Sequence, residues 1–505
     1  MSQQPDSGAT HKKRTLTTSS LVFFVVACVA PMAVISSIVP LALYLGNGSG
    51  FVGAIVIAAL VLLCFAGGYV ALGRHVINAG AFYAYVAKGL GKPAGVAASF
   101  VAMLSYNAAF WSLAGSLGFF TAQAFDDIGV HLPWQFWCAV AVGIVALLGR
   151  RAINASAKVL TAALCLEVLV LLVLDVAIIA KRGLAAFPME TLSPHAFTSG
   201  SVGVALLLAF NMYIGFEATA IFAEEAKDPQ RSVPRATYIA VGIIAVFFGF
   251  GTMVLIGSAG PGHIQGAIDG DPGTFLFRTA DKFVGAWLTD IMRVLNLGSL
   301  FAALLGIHNA ASRYFFSLGR ENLLPSRLGR LHPRWNSPSS ASALQIIVSV
   351  VVLGVFGIAN ANPLLTIVTS ATGLGTVGIL FLQGAVALAC VAYFRRNGHR
   401  NNLWATLVGP LISAVVFAVV VVLALQNYAV LSGTNSGIVN TLPWVIPALI
   451  CCGIAYALWL RKHKPETYQG IGEGGPPATT NTETVITSAM PHLPPAAESG
   501  SSAVL

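Results

Sequence analysis

Three acids stand inside apolar runs where water cannot reach them cheaply. Glu167 and Asp175 fall within residues 158–180, and Glu217 falls within residues 201–223. An ionisable side chain in lipid is expensive, so it is either paired with a neighbouring helix or carries a proton or cation. Two backbone breakers accompany them. Pro31 sits in mid-run in Ala30-Pro31-Met32, and Gly215 sits in Tyr213-Ile214-Gly215-Phe216-Glu217. Proline deletes a helix hydrogen bond, and glycine loosens the turn that holds it. One reading is a plain kink plus a hydrogen-bonded acid. The other is a pair of discontinuous helices five spans apart, the arrangement that marks a transporter's midplane site. Broken ends offer amide N–H groups to a carboxylate and carbonyls to an ammonium, which suits a zwitterion.

Other chemistry is poorly provided for. The seven cysteines lie in apolar stretches without CxxC or Cys/His spacing, and the ten histidines form no HExxH pair, so no metal site is expected. There is no P-loop, and no cofactor is implied. Gly373-Leu374-Gly375-Thr376-Val377-Gly378 matches GxGxxG but lacks the strand–turn–helix setting of a dinucleotide site, so close helix packing is expected of it. His308 is placed to face the centre of its span, because Arg313 follows five residues on at the inner end; an interhelical hydrogen bond is the alternative. Tyr106 and Asn107 are further polar candidates in the third span.

The elements that must position these residues follow from charge spacing. Of 505 residues, 56% are hydrophobic and 9% charged, whereas soluble domains carry about 25% charged residues, so lipid is the solvent. No charged residue occurs between Arg14 and Arg74, and the turn-rich residues 46–50 split that gap into two spans. The first apolar run, 21–45, is too long for a signal-peptide core. Further gaps give about twelve transmembrane helices, an all-α polytopic membrane protein without the alternation of a β-barrel. With both termini inside, 23 of 28 basic residues fall on the cytoplasmic side. The net charge of +9 is then loop bias toward membrane lipid and needs no nucleic acid. Residues 1–15 and 466–505 are read as disordered cytoplasmic tails around a transporter domain at 16–465.

Particular segments carry a family resemblance. Phe210 to Glu217, continuing through Glu224-Glu225-Ala226-Lys227-Asp228-Pro229 and Val233-Pro234-Arg235-Ala236, resembles helix six and its exit in the amino acid–polyamine–organocation permeases. So does His308-Asn309-Ala310-Ala311-Ser312-Arg313 through Leu318 to Pro325, while Ala79-Gly80-Ala81-Phe82-Tyr83 is similar to the family's segment after helix two. The resemblance implies a five-plus-five inverted-repeat (LeuT-like) fold with broken helices one and six. Its repeats would span about 16–181 and 200–395, with two extra helices at 401–461. It implies a substrate held by Ala33, Val34, Ile35, Ser36 and Ser37 on helix one, and by Asn211, Tyr213, Ile214, Gly215 and Phe216 on helix six. Two departures stand out. Ala33-Val34-Ile35 replaces the family's Gly-rich triplet, and Glu167 stands where several members place a lysine as a cation surrogate.

The expected function is secondary active transport, not enzymology: symport of an amino acid or related amine with a proton, or else sodium, through the cell membrane. Glu167 and Glu217 are the expected coupling residues, Glu167 the more favoured. An exchanger or polyamine carrier on the same fold is the near alternative, and a channel or membrane-embedded enzyme a remote one. The basic asymmetry generates a direct prediction. Cysteines placed at Ser317, Ser326 and Ser499 should react with impermeant reagents only from the cytoplasmic side; labelling of Ser326 in intact cells from outside would reverse the topology.

Overall fold

The computed structural model describes residues 17–76, 82–150, 157–217, 226–268, 270–335, 337–397, 402–434 and 436–473. Among the described residues twelve principal helices follow in order. They are α1 (Thr18–Leu45), α2 (Phe51–Gly73), α3 (Lys92–Asp126), α4 (Trp134–Arg150), α5 (Ala157–Arg182) and α6 (Val202–Asn211). Then come α7 (Pro229–Ala259), α8 (Ala286–Arg320), α9 (Ser339–Ile358), α10 (Pro363–Arg396), α11 (Trp404–Gln426) and α12 (Val445–His463). Ten helices among the described residues are long and apolar enough to cross a membrane; α4 and α6 are the two shorter apolar ones. Among the described residues there is no extended strand. In lipid each backbone polar group must be satisfied within the protein, and a helix does this along its length.

Helix α3 runs through the middle and packs against α4, α8, α10 and α12. Small residues permit the approach. A side chain on Gly375 would press the Ser105 carbonyl at 3.1 Å, and one on Gly378 would collide with the Ser105 hydroxyl. The GxGxxG segment therefore does a packing job, against α3 and, through Gly373, against Tyr428 and Leu431.

Two helices are interrupted, and the local causes differ. Proline disfavours the helical conformation in the residue before it. Ala30, which precedes Pro31, takes a left-handed φ of 54°, and α1 restarts at Pro31, whose missing N–H costs nothing at a first helical position. A π-helical turn, Val34–Ile38, follows before regular helix resumes. Helix α6 stops at Asn211 and gives way to tight i→i−3 turns through Phe216. Gly215 adopts φ 116°, a conformation nearly closed to other residues. Residues 218–225, which hold Glu224 and Glu225, lie outside the described residues, as do 77–81, 1–16 and 474–505.

The carboxy-terminal segment departs from expectation. Helix Pro465–Gln469 and the turn after it fold back under the bundle instead of trailing away from residue 466. Ile471 is buried, Tyr468 lies against the Lys92 ammonium, and the Gly472 N–H donates to Glu321. Composition alone hid this, because two apolar anchors suffice to dock a polar stretch. Charged groups gather at the two ends: Arg293 pairs with Asp127 at one, and Lys88 with Glu473 at the other.

Close helix contact predicts sharp local intolerance. A Cβ on Gly453 of α12 would lie 2.6 Å from the Ala97 Cα of α3, whereas one on Gly242 would meet nothing. Gly453→Leu should destabilise the detergent-solubilised protein by about 1–3 kcal/mol, and Gly242→Leu should not. Thermal unfolding of the two variants side by side checks this.

Candidate functional site

The two interruptions meet at one cavity of about 90 Å³. Helix α1 contributes Cys28, Val29 and Ala30 before the break, and Ala33, Val34, Ser37 and Ile38 after it. Asn211 and Ile214 of the α6 break form a second wall. Ser112 and Ser116 of α3, Leu300 and Ile307 of α8, and Thr372 and Thr376 of α10 complete it. Among the described residues no charged side chain lines the space. The polar wall is tied together: the Asn211 amide donates to Thr376 Oγ1 at 2.9 Å, and the Ser112 and Thr372 hydroxyls are 2.7 Å apart. Ser37 Oγ has no hydrogen-bond partner among the described residues.

Both breaks are pinned by a carboxylate. Glu167, from α5, accepts the Met32 N–H at 3.2 Å and the Ser299 hydroxyl at 2.9 Å, through Oε2. Met32 is the second residue of the restarted helix, so its amide has no partner in the preceding turn. Ala30, the residue in the capping position, has no side-chain acceptor to offer it, so an acid from another helix serves as the cap. A carboxylate there also faces the positive end of the helix dipole. Glu217 does the matching job at α6. Its Oε2 accepts the Gly215 N–H at 2.9 Å, its Oε1 accepts the Tyr106 hydroxyl at 3.1 Å, and its carbonyl accepts Tyr69 at 3.0 Å. The Tyr106 ring stacks on Tyr314.

The residues anticipated as a substrate site are thus sorted by geometry. Ala33, Val34, Ser37, Asn211 and Ile214 border the cavity. Ser36 turns away and donates to Asn296 Oδ1 at 2.7 Å, and Ile35 points to a smaller space behind α1. Tyr213 donates to the Ile55 carbonyl at 3.1 Å, and Phe216 packs edge-on to Phe65. Gly215 touches the wall from behind, where its Cβ would stand 3.4 Å from Cys28 Cβ. Glu167 and Glu217 sit one layer outside the lining. His308 does not face the cavity: it is fully buried between Gln345 Oε1 and the Ser342 hydroxyl of α9, the interhelical alternative, while Leu300, Ala303 and Ile307 are the α8 residues that do. Asn107 donates within its own helix to Met103.

Sequence reasoning passed over Cys28, Ser112, Ser116, Thr372 and Thr376. A signal existed: Ser105, Ser112 and Ser116, and likewise Thr369, Thr372 and Thr376, recur at helical spacing along one face of an otherwise apolar span.

A helical membrane bundle whose two interrupted helices close on one interior cavity is the architecture of a secondary transporter. Comparison with known proteins agrees. The amino acid permease family model matches residues 16–455, and the chain belongs to that family. A branched-chain amino acid permease of Lactococcus lactis is 25% identical over 326 residues, 60% of this chain and 68% of its own. A low-affinity putrescine importer of Escherichia coli is 24% identical over 412 residues, 79% of this chain and 85% of its own. Among solved structures, a manganese transporter of Eremococcus coleocola shares the fold, with a TM-score of 0.53 at 15% identity, covering 90% of this chain and 98% of that one. The protein is a membrane permease for small molecules, not an enzyme.

The geometry at Gly215 yields a test. Any side chain there meets a positive φ, costing about 1–3 kcal/mol, and its Cβ would already touch Cys28 at the cavity wall, so a leucine's further atoms would crowd it. Gly215→Leu should abolish substrate binding while the protein still reaches the membrane folded. Wild-type affinity in that variant would remove the α6 turn from the site.

Proposed function

We propose that this permease is a proton-coupled symporter of an amino acid. The observation that carries the reading is the cavity: it lies between two broken helix backbones, and among the described residues no charged side chain lines it. A zwitterion suits such a place, because helix ends supply partial charges of both signs without a countercharged side chain. The α-carboxylate is assigned to the Ser37 hydroxyl, which has no partner among the described residues, and the α-amine to carbonyls released at the breaks. The apolar part of the lining, including Val34, Ile214 and Leu300, fits an aliphatic side chain. The branched-chain amino acid permease among the relatives favours the same class.

The putrescine importer among the relatives favours an amine carrier instead. A dication would call for acids facing the bound ligand. Glu167 and Glu217 are both engaged with backbone amides outside the lining, which weighs toward the zwitterion. Glu167 is assigned as the proton carrier and Glu217 as its alternative. The inverted repeats are assigned to about 16–181 and 200–395, the termini to the cytoplasm, and the protein to the cell membrane.

The test is uptake into proteoliposomes of labelled leucine, alanine, lysine and putrescine, with and without an inward proton gradient. Accumulation of a neutral amino acid that rises with the gradient is expected. Accumulation of putrescine alone, or of an amino acid driven by sodium without any response to the proton gradient, would overturn the reading.

A further inference from the structure

Asp175 is an acid with nothing to do in the site described so far. It lies on α5, eight residues beyond Glu167 and so about 12 Å along the helix axis. It is buried, with a relative exposure of 8%, and has no hydrogen-bond or ion-pair partner among the described residues. It opens into a small cavity of about 10 Å³, room for roughly one water molecule. The other walls are apolar: Ile35 of α1, Leu171 and Leu174 of α5, Phe247 and Leu255 of α7, and Leu276 of the helix Pro272–Phe283. Gly251 of α7 stands opposite; a Cβ there would be 3.7 Å from the Asp175 carboxylate.

A buried carboxylate without a partner is held at high cost unless it takes up a proton or a cation. Hard cations require several oxygen ligands, and these walls supply none beyond the acid itself. A proton requires only the one group. The charged residues on the surrounding elements are otherwise occupied or distant. Arg182, seven residues on along α5, donates to the Gly257 carbonyl at 3.1 Å, and Arg278 donates to the Ile268 carbonyl at 2.8 Å. Asp281 and Lys282 lie at the far end of their helix, Arg231 and Arg235 at the opposite end of α7, and the described part of α1 carries no charge.

The cavity also touches the interrupted helix of the site. Ile35 belongs to the π-helical turn of α1, and its neighbour Ser36 is bonded to Asn296 on α8. Asn296 lies one turn from Ser299, which donates to Glu167. Asn296 Nδ2 is buried without a partner among the described residues, so the polar file from Ser36 to Glu167 has an open donor in its middle.

We propose that Asp175 is a second proton-binding site, in series with Glu167 along α5 and behind the α1 turn. It loads the proton from the Arg182 end of the helix and delivers it toward the Ser36–Asn296–Ser299–Glu167 file. This rests on the proton-symport reading, and two readouts keep the failures apart. The first is difference infrared spectroscopy of the purified full-length protein across a pH titration, which reports protonated carboxyl groups without any substrate. The second is uptake against external pH, alongside counterflow at equal pH, using the amino acid with the strongest counterflow in the panel above. Asp175→Asn should lose one titrating carboxyl band and the acid stimulation of uptake, yet keep counterflow. Asp175→Glu should restore both. A carboxyl titration unchanged in Asp175→Asn, or acid stimulation that persists in it, would overturn the proposal. If wild-type uptake shows no acid stimulation, the symport reading fails, and the infrared titration alone decides whether Asp175 binds a proton.

Discussion

A helix cannot be broken in the middle of a membrane unless something else satisfies its freed amide and carbonyl groups. In this permease two carboxylates meet that requirement. Glu167 holds the Met32 N–H where α1 restarts, and Glu217 holds the Gly215 N–H where α6 stops. Each is backed by a hydroxyl, from Ser299 and Tyr106 respectively. Removing either acid would leave a buried donor unpaired, at about 1–3 kcal/mol. Pro31 and Gly215 set the interruptions, the two acceptors stabilise them, and the cavity lies between them.

Under the proposed proton coupling, this arrangement would let the acids act without touching the ligand. Both lie outside a lining that carries no charged side chain among the described residues. A carboxylate that gains a proton becomes a poorer acceptor for an amide and loses its attraction to the positive end of the helix. Protonation of Glu167 would therefore loosen the cap on the second half of α1, and with it Ala33, Val34 and Ser37 at the cavity edge. Coupling of this kind needs no direct contact between proton site and substrate, only a shared helix end.

Much of the fold was legible because lipid imposes simple arithmetic. Runs without charge gave the spans, Pro31 and Gly215 gave the breaks, and the family motifs gave their pairing. What stayed hidden depends on rotation about a helix axis, which an all-apolar sequence does not encode. His308 was placed toward the centre from its distance to Arg313, yet its ring turns to α9, because Gln345 and Ser342 offer partners there. Of five consecutive candidates on α1, Ser36 and Ile35 face away, since a helix can present only one side to the cavity. The capping role of Glu167 was also unreadable, as it joins residues 135 positions apart. The docked segment after residue 465 escaped notice because Tyr468 and Ile471 are sparse anchors in a polar stretch.

The most direct test is Glu167→Gln, compared with wild type in proteoliposomes for two activities. A glutamine carbonyl can still accept the Met32 N–H, so the break and the cavity are retained, but the side chain cannot bind and release a proton. Gradient-driven accumulation of the amino acid should be lost, while counterflow at equal pH continues. Accumulation by Glu167→Gln with the wild-type dependence on pH would contradict proton coupling through the α1 cap.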